Sequence, residues 1–504
     1  MNILFVTSEA FPLIKTGGLA DVSGALPKAL QSSPQFSGSI RVLIPGYSAV
    51  MSKLRDTQTV AHIAALGQYC TLVAGRMPDS DLEVIAVQNA TLYERGGGPY
   101  NDELGNDWID NPLRFAVLSR IASLLASGNS PLPDWKPDLV HCNDWQTGLI
   151  PAYMKLVDHA PAKSILSIHN LAFQGTCHAG WLHALELPAR SFQINGVEYY
   201  KQISFMKAGV FYADMLSTVS PTYAKEIQTE AYGSGMHGLL KSRAHDLVGI
   251  LNGIDANEWS PGKDTHLIKH YSHSRLANKA LIKAHLQEQL GLQIDANAPV
   301  LGVVSRMTHQ KGLDLLPAIM PELVESGCQF AILGSGEKEL EAAFNDMATR
   351  YPTCVSVTNG YNEHLSHNIM AGADMFIMPS RFEPCGLNQL YGLAYGTPPL
   401  VTHTGGLADS VHDTNELNLQ HNTATGFVLE NVSSLSLLVT IRRALSVWHD
   451  KKTWKKIQIN GMKQDLSWES RAISYLALYN KTLGRVGTVD AYIKSASPKL
   501  TSPP

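Results

Sequence analysis

A glycine pair near the N-terminus has the composition of a loop that can bind an anion. The segment KTGGLAD, residues 15–21, follows an apolar run and opens a helical pattern. Paired glycines let the backbone come close to a ligand, and the N-terminus of the following helix offers N–H groups to an anion. A full positive charge comes from the lysine. We therefore predict a pocket for a phosphate beside a polar group such as a sugar, formed by Lys15, Thr16, Gly17, Gly18 and Asp21.

The hexapeptide TGGLAD occurs at residues 16–21 and again at residues 404–409. Six identical residues do not recur readily by chance, and each copy follows a strand-like run and opens a helical pattern. One interpretation is that both copies are glycine turns that begin helices. The other is that each domain has one ligand-facing glycine loop.

A second charged segment follows the apolar run PVLGVV and contains Arg306 and Lys311. Two cations at this spacing suit a diphosphate, because arginine can bridge two oxygens and lysine acts as a point charge. A solvated surface pair is the alternative. Gly336 follows the next apolar run, where it can approach a phosphate or a ribose. Glu339 stands in place of the third glycine of GxGxxG, which argues against a dinucleotide site.

Three further polar residues follow strand-like runs. Glu383 comes after DMFIMP and just ahead of Gly386 and Leu387, which open a helical pattern. A carboxylate there can bind sugar hydroxyls, and the helix start can take a phosphate. The alternative is a charge that merely flanks the helix. Asp144 and His169 follow DLVHC and SILSI and are candidates for the same reason.

Short apolar runs alternate with helical patterns along the whole chain, which predicts an α/β fold. The runs that read as strands are NILFVT, RVLIP, LEVIAV, DLVHC, SILSI, MLSTVS, LVGIL, PVLGVVS, QFAILG, CVSVT, DMFIMP and PPLVT. Continuous apolar strands between helical segments indicate parallel sheets that are covered on both faces. In such sheets ligands bind beyond the carboxyl ends of the strands, where the polar residues above would lie.

About a dozen strands would make a single open sheet unusually wide, so we predict two parallel-sheet domains. The turn-rich stretch 251–264 marks the boundary, and Asn252 within it is added to the predicted substrate-binding residues. The N-terminal domain then covers residues 1–250 and the C-terminal domain residues 251–466. A strong helical pattern follows over 467–483, and residues 484–504 are expected to form a flexible tail.

The composition argues against several classes of function. The chain has 504 residues, of which 44% are apolar and 17% charged, with a formal net charge of -4. No long run of one sign is present, so we expect neither nucleic acid nor an anionic membrane as a partner. The N-terminus MNILFVTSEAF has no basic segment, and Glu9 interrupts its apolar run, which predicts a buried strand rather than a signal peptide. No apolar run approaches the ~20 residues of a membrane span.

Cysteine and histidine spacing gives no metal or disulfide pattern. The six cysteines include no CxxC pair, which favours reduced thiols and a cytoplasmic protein. His364 and His367 form an HxxH pair without an obvious third ligand, so no zinc site is predicted.

Five of these segments resemble the signatures of bacterial glycogen synthases and plant starch synthases. They are KTGGLADV, HCNDWQTGLIP, SIHNLAFQG, SRMTHQKGLDLL and PSRFEPCGLNQLYGLAYGT, and the match extends in the family's order to about residue 483. The resemblance implies a GT-B fold, with two Rossmann-like domains, an active-site cleft between them and a last helix that returns to the N-terminal domain. It implies a retaining transfer of glucose from ADP-glucose to the non-reducing 4-hydroxyl end of an α-1,4-glucan such as glycogen, with ADP as product. No metal ion or other cofactor is implied.

The resemblance also assigns roles around the donor phosphates. Lys15 is similar to the lysine of the family's donor-binding loop, with Gly17 and Gly18 near phosphate and sugar. Arg306 and Lys311 resemble the pair that neutralises the donor diphosphate.

Around the sugar and the base, the resemblance assigns four residues. Glu383 resembles the glutamate that engages the glucose hydroxyls, and Asp144 and His169 are similar to residues close to the transferred sugar. Tyr361 is similar to the aromatic residue near the adenine. The chain departs from the wider GT-B pattern at Tyr391, where the E-x7-E motif has its second glutamate, which puts the ribose contact in doubt.

Three other functions are compatible with a fold of this kind or with glucan binding. A sugar-nucleotide epimerase and a pyridoxal-phosphate-dependent phosphorylase share the fold, but phosphorylases are longer and no segment here resembles their cofactor lysine. A non-catalytic glucan-binding protein would not need Lys15, Arg306, Lys311 and Glu383 together, and all four are present. The choice of ADP-glucose over UDP-glucose is implied by the resemblance alone.

Overall fold

The computed structural model describes residues 1–485 and divides into two compact units. Unit 1 comprises residues 1–251 together with the chain from residue 468 onward, and unit 2 comprises residues 252–467. Of the tail predicted over 484–504, residues 486–504 lie outside the described residues.

Unit 1 is built on a nine-stranded sheet with the order β12-β11-β7-β6-β1-β2-β5-β4-β3. Its strands, together with those of a small second sheet, are β1 (Asn2–Val6), β2 (Ser39–Pro45), β3 (Arg55–Ala65), β4 (Gln68–Arg76), β5 (Glu83–Gln88), β6 (Leu139–Asn143), β7 (Lys163–Ile168), β8 (Thr176–His178), β9 (Glu198–Tyr199), β10 (Gln202–Ser204), β11 (Met215–Thr218) and β12 (Leu247–Gly249). The pairs from β12 to β5 are parallel. The central strands β1, β6 and β7 are almost wholly buried, as their continuous apolar runs predict.

The β3–β4 hairpin is the part of this sheet that the sequence pattern missed. β4 runs antiparallel to both β3 and β5, so the expectation of purely parallel sheets is wrong at this edge. The sequence of β3, RDTQTVAHIAA, is largely polar, and most of its residues are exposed. An edge strand with solvent on one side needs no continuous apolar run, which is why the pattern gave no signal.

Helices cover the sheet of unit 1. They are α1 (Gly18–Ser32), α2 (Ser48–Lys53), α3 (Ala90–Tyr93), α4 (Asn111–Leu125), α5 (Ile150–Leu156), α6 (Phe205–Tyr212), α7 (Pro221–Glu226) and α8 (His237–Ser242). α1 begins at Gly18, the second glycine of the pair, and buries Leu19, Val22, Leu26 and Leu30. Because these residues recur every three or four positions, they form one apolar face toward the core.

Unit 2 has a six-stranded sheet in which all neighbouring strands are parallel, with the order β15-β14-β13-β16-β17-β18. The strands are β13 (Val300–Val304), β14 (Gln329–Gly334), β15 (Val355–Asn359), β16 (Met375–Met378), β17 (Pro399–Thr402) and β18 (Phe427–Leu429). Along β16, Met375 and Ile377 enter one apolar cluster while Phe376 and Met378 enter another. Successive side chains of a strand point to opposite faces, so this sheet is covered on both faces as predicted.

The helices of unit 2 are α9 (Lys279–Gln289), α10 (Met320–Glu325), α11 (Lys338–Arg350), α12 (Glu363–Gly372), α13 (Asn388–Ala394), α14 (Gly405–Ser410), α15 (Glu416–Gln420), α16 (Ser434–His449) and α17 (Lys451–Met462). The next helix, α18 (Trp468–Thr482), belongs to unit 1 and packs against α1. Within the core of that unit, the Tyr479 hydroxyl lies 2.8 Å from Nδ1 of His141, and both side chains are fully buried.

Candidate active site

Three polar residues of unit 1 follow three neighbouring strands. Glu9 comes shortly after β1, Asp144 directly after β6, and His169 directly after β7. Because β7, β6 and β1 are adjacent and parallel, these residues lie at one edge of the sheet, the edge where α/β proteins bind ligands.

The loop of residues 15–18, which we call the KTGG loop, is hydrogen-bonded to the side chain of Glu9. The Glu9 carboxylate accepts hydrogen bonds from the backbone N–H groups of Thr16 at 2.6 Å and Gly17 at 3.3 Å. Lys15 forms an ion pair with Asp21 at 2.7 Å. The N–H groups of Thr16 and Gly17 therefore point to a protein carboxylate and are not available to an external anion. The anion site was predicted at the N–H groups that begin α1, and that part stays a prediction.

Gly17 nevertheless faces open space. A Cβ atom placed on Gly17 would meet no atom within 4 Å, so no close protein contact requires a glycine here. Close approach of a ligand to the backbone is the remaining physical reason for glycine at this position.

Asp144 is buried and has a strained backbone. Its φ of 60° and ψ of -171° lie in a region that only glycine adopts freely. Burial raises the pKa of its carboxyl group to about 8, against the opposing effect of nearby backbone N–H groups. Among the residues that the structure describes, Oδ1 of Asp144 has no hydrogen-bond partner. At neutral pH the group is therefore mainly a neutral acid, which can donate as well as accept a hydrogen bond.

His169 is a neutral imidazole beside Asp144. Burial lowers the pKa of His169 to about 4, so the ring carries no charge at neutral pH. Its Nε2 lies 3.1 Å from Oδ1 of Asn143, whose amide nitrogen donates to Val6 O. Since the amide oxygen can only accept, Nε2 carries the proton and Nδ1 is left as an acceptor.

The charged residues predicted in unit 2 come from two neighbouring strands. Arg306 and Lys311 follow β13, and Glu383 follows β16, which pairs with β13. Nζ of Lys311 lies 2.5 Å from Oε2 of Glu383, and the Ser380 hydroxyl donates to the same oxygen at 3.1 Å. The side chains of Lys311 and Glu383 are only 16% and 8% exposed. Neither is a solvated surface charge, and Glu383 is more than a charge that flanks a helix.

Arg306 differs from Lys311 in having an exposed side chain. It makes no side-chain hydrogen bond or ion pair with any residue in the described part of the chain. Its guanidinium is thus available to an anionic ligand, whereas the ammonium group of Lys311 is already engaged.

The two loops that contain Lys311 and Glu383 are fixed to each other. Arg381 forms a two-pronged ion pair with Asp314, at 2.6 and 2.8 Å, and also donates to the His309 carbonyl. Gly312 has a φ of +66°, and a Cβ atom there would lie 2.0 Å from the Pro379 carbonyl oxygen. Paired, two-pronged contacts add geometric precision to their strength, so the Lys311–Glu383 geometry is set before any ligand binds.

The second TGGLAD copy has a structural role that the first does not share. Gly405 has a φ of +42°, and a Cβ atom there would lie 1.9 Å from the Glu383 carbonyl oxygen. For Gly406 the corresponding contact is the Cys385 carbonyl oxygen at 2.2 Å, and its N–H donates to the Glu383 and Pro384 carbonyls. These glycines are required by close packing against the loop of Glu383, while Gly17 in the first copy is open.

Gly336 and Asn252 are two further residues predicted to bind the substrate, and that role stays a prediction. The N–H of Gly336 donates to Oε1 of Glu341 at 2.7 Å, and a Cβ atom there would lie 2.2 Å from the Met307 carbonyl oxygen. The glycine is thus explained by backbone packing. Asn252 begins unit 2 with a buried side chain, and its Oδ1 has no hydrogen-bond partner among the described residues.

The last three predicted binding residues follow strands of unit 2. Tyr361 comes two residues after β15 and is 73% exposed. Gly386 has a φ of +72°, the left-handed region that favours glycine, and Leu387 immediately precedes α13. Their contacts with a ligand stay predictions.

One histidine cluster has the composition of a metal site. Ligand atoms of Asp264, His266 and His367 lie within 4.8 Å of one another. Oδ2 of Asp264 already binds Nδ1 of His367 at 2.7 Å and the Tyr395 hydroxyl at 2.5 Å, all buried. Oδ2 of Asp264 therefore has two buried hydrogen-bond partners, whereas Nε2 of His367 has none among the described residues.

Sequence reasoning missed the structural part of the site. In the sequence, Glu9 is recognised only as an interruption of an apolar run, and no pattern predicts a role for Ser380 or Tyr100. Glu9 did carry a signal, because it is a carboxylate close behind a buried strand, like Asp144 and Glu383. Tyr100 carried none, since its hydroxyl reaches Glu9 at 2.7 Å across 91 residues of sequence.

Two family models match the chain, one in each unit. Residues 2–242 match a model described as a starch synthase catalytic domain, and residues 298–445 match one described as glycosyl transferases group 1. These two matches, together with two units that are each built on a largely parallel sheet, define a glycosyltransferase of the GT-B class.

Relatives that align with almost the whole chain identify the family within this class. The glycogen synthase of Nitrosospira multiformis is 46% identical over 490 residues, covering 96% of this chain and 98% of the relative. That of Dechloromonas aromatica is 47% identical over 486 residues, covering 96% and 99%. The chain therefore belongs to the glycogen synthase family, whose members are glucosyltransferases that extend a glucan.

Solved structures agree with this assignment. The catalytic domain of starch synthase IV from Arabidopsis thaliana, bound to ADP and acarbose, has a TM-score of 0.85 at 28% identity and covers 96% of this chain and 99% of that one. Sucrose-phosphate synthase from Thermosynechococcus elongatus, with a TM-score of 0.59 at 15% identity, shares the fold. Among the described residues, no helix is both long and apolar enough to cross a membrane.

Proposed function

We propose that this chain transfers glucose from ADP-glucose to the non-reducing 4-hydroxyl end of an α-1,4-glucan, with retention of the α configuration. The observation that carries the proposal is the group of Arg306, Lys311 and Glu383, in which a lysine–carboxylate pair is already formed and the loop of the lysine also contains an exposed arginine. The starch synthase IV structure, with 28% identity, contains ADP and acarbose, which supports an adenosine diphosphate product and a glucan acceptor.

In unit 2, Arg306 and Lys311 bind the donor diphosphate. Breaking the glucose–phosphate bond leaves positive charge on the sugar ring and extra negative charge on ADP. By analogy with oxyanion-hole donors, each fixed cation can stabilise the departing group by about 3–4 kcal/mol. Gly386 and Leu387 lie beside the phosphates, Gly336 contacts a phosphate or the ribose, and Tyr361 lies against the adenine. Asn252 also binds the donor.

Glu383 acts on the sugar. Its carboxylate accepts hydrogen bonds from the glucose hydroxyls and holds negative charge near the ring while positive charge develops there. The Ser380 hydroxyl and Lys311 fix the orientation of that carboxylate. A fixed charge needs no reorganisation at the moment of reaction, which is how such groups lower a barrier.

In unit 1, the KTGG loop and Asp21 bind the donor, and Asp144 and His169 contact the transferred glucose. A neutral Asp144 can donate a hydrogen bond to a sugar oxygen, while Nδ1 of His169 can accept one from a hydroxyl.

A cytoplasmic location is part of the proposal. All six cysteines are free thiols, five of them buried, which suits a reducing compartment.

Incubation with ADP-[14C]glucose and glycogen tests the function, with UDP-[14C]glucose in parallel. We expect label in the polymer, with kcat/KM at least about tenfold higher for ADP-glucose. Release of free glucose would indicate a hydrolase, and the absence of turnover would indicate a glucan-binding protein. Glu383→Gln, which keeps the size of the side chain, is the matched inactive control.

A further inference from the structure

We propose that Glu9 is a positioning residue, whose buried carboxylate holds the KTGG loop in the conformation that binds the nucleotide sugar. This inference rests on the proposed function. Glu9 itself does not touch the substrate and acts through the KTGG loop.

The Glu9 carboxylate accepts hydrogen bonds from the KTGG loop and from one tyrosine. Its carboxylate accepts hydrogen bonds from Thr16 N at 2.6 Å, from the Thr16 hydroxyl at 2.9 Å, and from Gly17 N at 3.3 Å. The Tyr100 hydroxyl donates at 2.7 Å and is itself 2.8 Å from the Ser8 hydroxyl. Glu9 is 3% exposed, so these bonds form away from water.

Much of the loop lies at the surface. Thr16 and Gly18 are exposed, and a Cβ atom on Gly17 would meet nothing within 4 Å. Glycine-containing loops lose much conformational freedom on ordering. Bonds to a buried carboxylate offset that loss before the ligand arrives, and such preorganisation strengthens binding.

A charge is needed for this function, because a neutral amide cannot reproduce it. Glu9→Gln keeps the side-chain length but replaces one acceptor oxygen with an NH2 group, which would face the donors of the loop. Hydrogen bonds to a charged acceptor are also about twice as strong as neutral ones.

The test is the kinetics of Glu9→Gln and Tyr100→Phe with ADP-glucose and glycogen. We expect Glu9→Gln to raise the KM for ADP-glucose and the Kd for ADP by about tenfold or more, with the KM for glycogen within about twofold of wild type. Tyr100→Phe removes one of the donors and should change the same constants by a smaller factor. Because both act through one carboxylate, the double variant should be no worse than Glu9→Gln.

Asp214→Asn is the matched control for a purely structural effect. Asp214 also lies in unit 1 and accepts from both the N–H and the hydroxyl of one residue, Ser164, at 2.8 and 2.9 Å. Ser164 is near the start of β7, at the opposite end of the strand from His169. This variant should lose stability without a change in the KM for ADP-glucose.

Wild-type KM and Kd values in Glu9→Gln would overturn the inference, as would equal changes in Asp214→Asn. If Glu9→Gln does not fold, Tyr100→Phe decides the question alone, and an unchanged KM for ADP-glucose in it counts against the inference. Failure of the wild-type protein to use ADP-glucose would instead refute the proposed function.

Discussion

Removing Lys311 should damage both activity and folding, whereas removing Arg306 should damage activity alone. We predict that Lys311→Ala and Arg306→Ala each lower kcat by at least ~100-fold, because each loses a cation that stabilises the departing diphosphate. The two variants should differ in stability, because only Lys311 is paired within the protein.

The expected difference in stability between the two variants follows from how deeply each side chain is buried. Lys311→Ala leaves the Glu383 carboxylate, 8% exposed, without its countercharge. Removing one partner of a buried ion pair costs about 3–5 kcal/mol. For a domain of the size of unit 2, each kcal/mol lowers Tm by about 2–4 °C, so the lower bound corresponds to about 6–12 °C. Arg306→Ala, at an exposed side chain without a partner in the described chain, should change the free energy of unfolding by no more than about 0.5 kcal/mol.

Calorimetry and initial rates with ADP-[14C]glucose measure these effects on the same preparations. The double variant Lys311→Met with Glu383→Gln should recover most of the lost Tm, since it removes the uncompensated charge, but it should stay inactive. Equal Tm values for Lys311→Ala and Arg306→Ala would refute the ion-pair reasoning. Near wild-type kcat in Arg306→Ala would refute the role of unit 2 in binding the diphosphate.

Three further predictions concern pH and the glycine motifs. Because burial raises the pKa of Asp144 to about 8, its neutral form stabilises the fold fully below about pH 4, and that contribution, on the order of 5 kcal/mol, is lost as the pH rises toward 8. Asp144→Asn should flatten this part of the pH dependence of urea unfolding; an unchanged slope would contradict the pKa assignment. Gly406→Ala should lower kcat by displacing the loop of Glu383, since its Cβ would lie 2.2 Å from a carbonyl oxygen. Gly17→Ala should leave Tm unchanged and raise the KM for ADP-glucose, and a fall in Tm of several degrees would show that its surroundings are not open.

The sequence predicted the buried part of the fold well. Strands such as β1, β6 and β16 are buried on both faces, so each is a continuous apolar run that can be read without knowing its neighbours. Polar residues directly behind those runs, among them Asp144 and Glu383, could then be placed at the strand ends. The β3–β4 hairpin escaped because an exposed edge strand imposes no such run.

Contacts across long stretches of sequence could not be predicted in the same way. The Lys311–Glu383 pair joins residues 72 positions apart, and Tyr100 reaches Glu9 over 91. Nothing in the spacing of these residues specifies that they meet, since the meeting depends on the order of strands in the sheet. The two TGGLAD copies show the converse, because identical residues are open in one setting and tightly packed in the other.

The position of α18 has a consequence for how the chain is made. Unit 1 begins with the first residue, yet Tyr475 and Tyr479 of its core arrive only after all of unit 2. During synthesis the emerging N-terminal half therefore cannot bury His141 against Tyr479 until all of unit 2 has been translated. Unit 2 is continuous, so all of its core residues are available before those of unit 1 are.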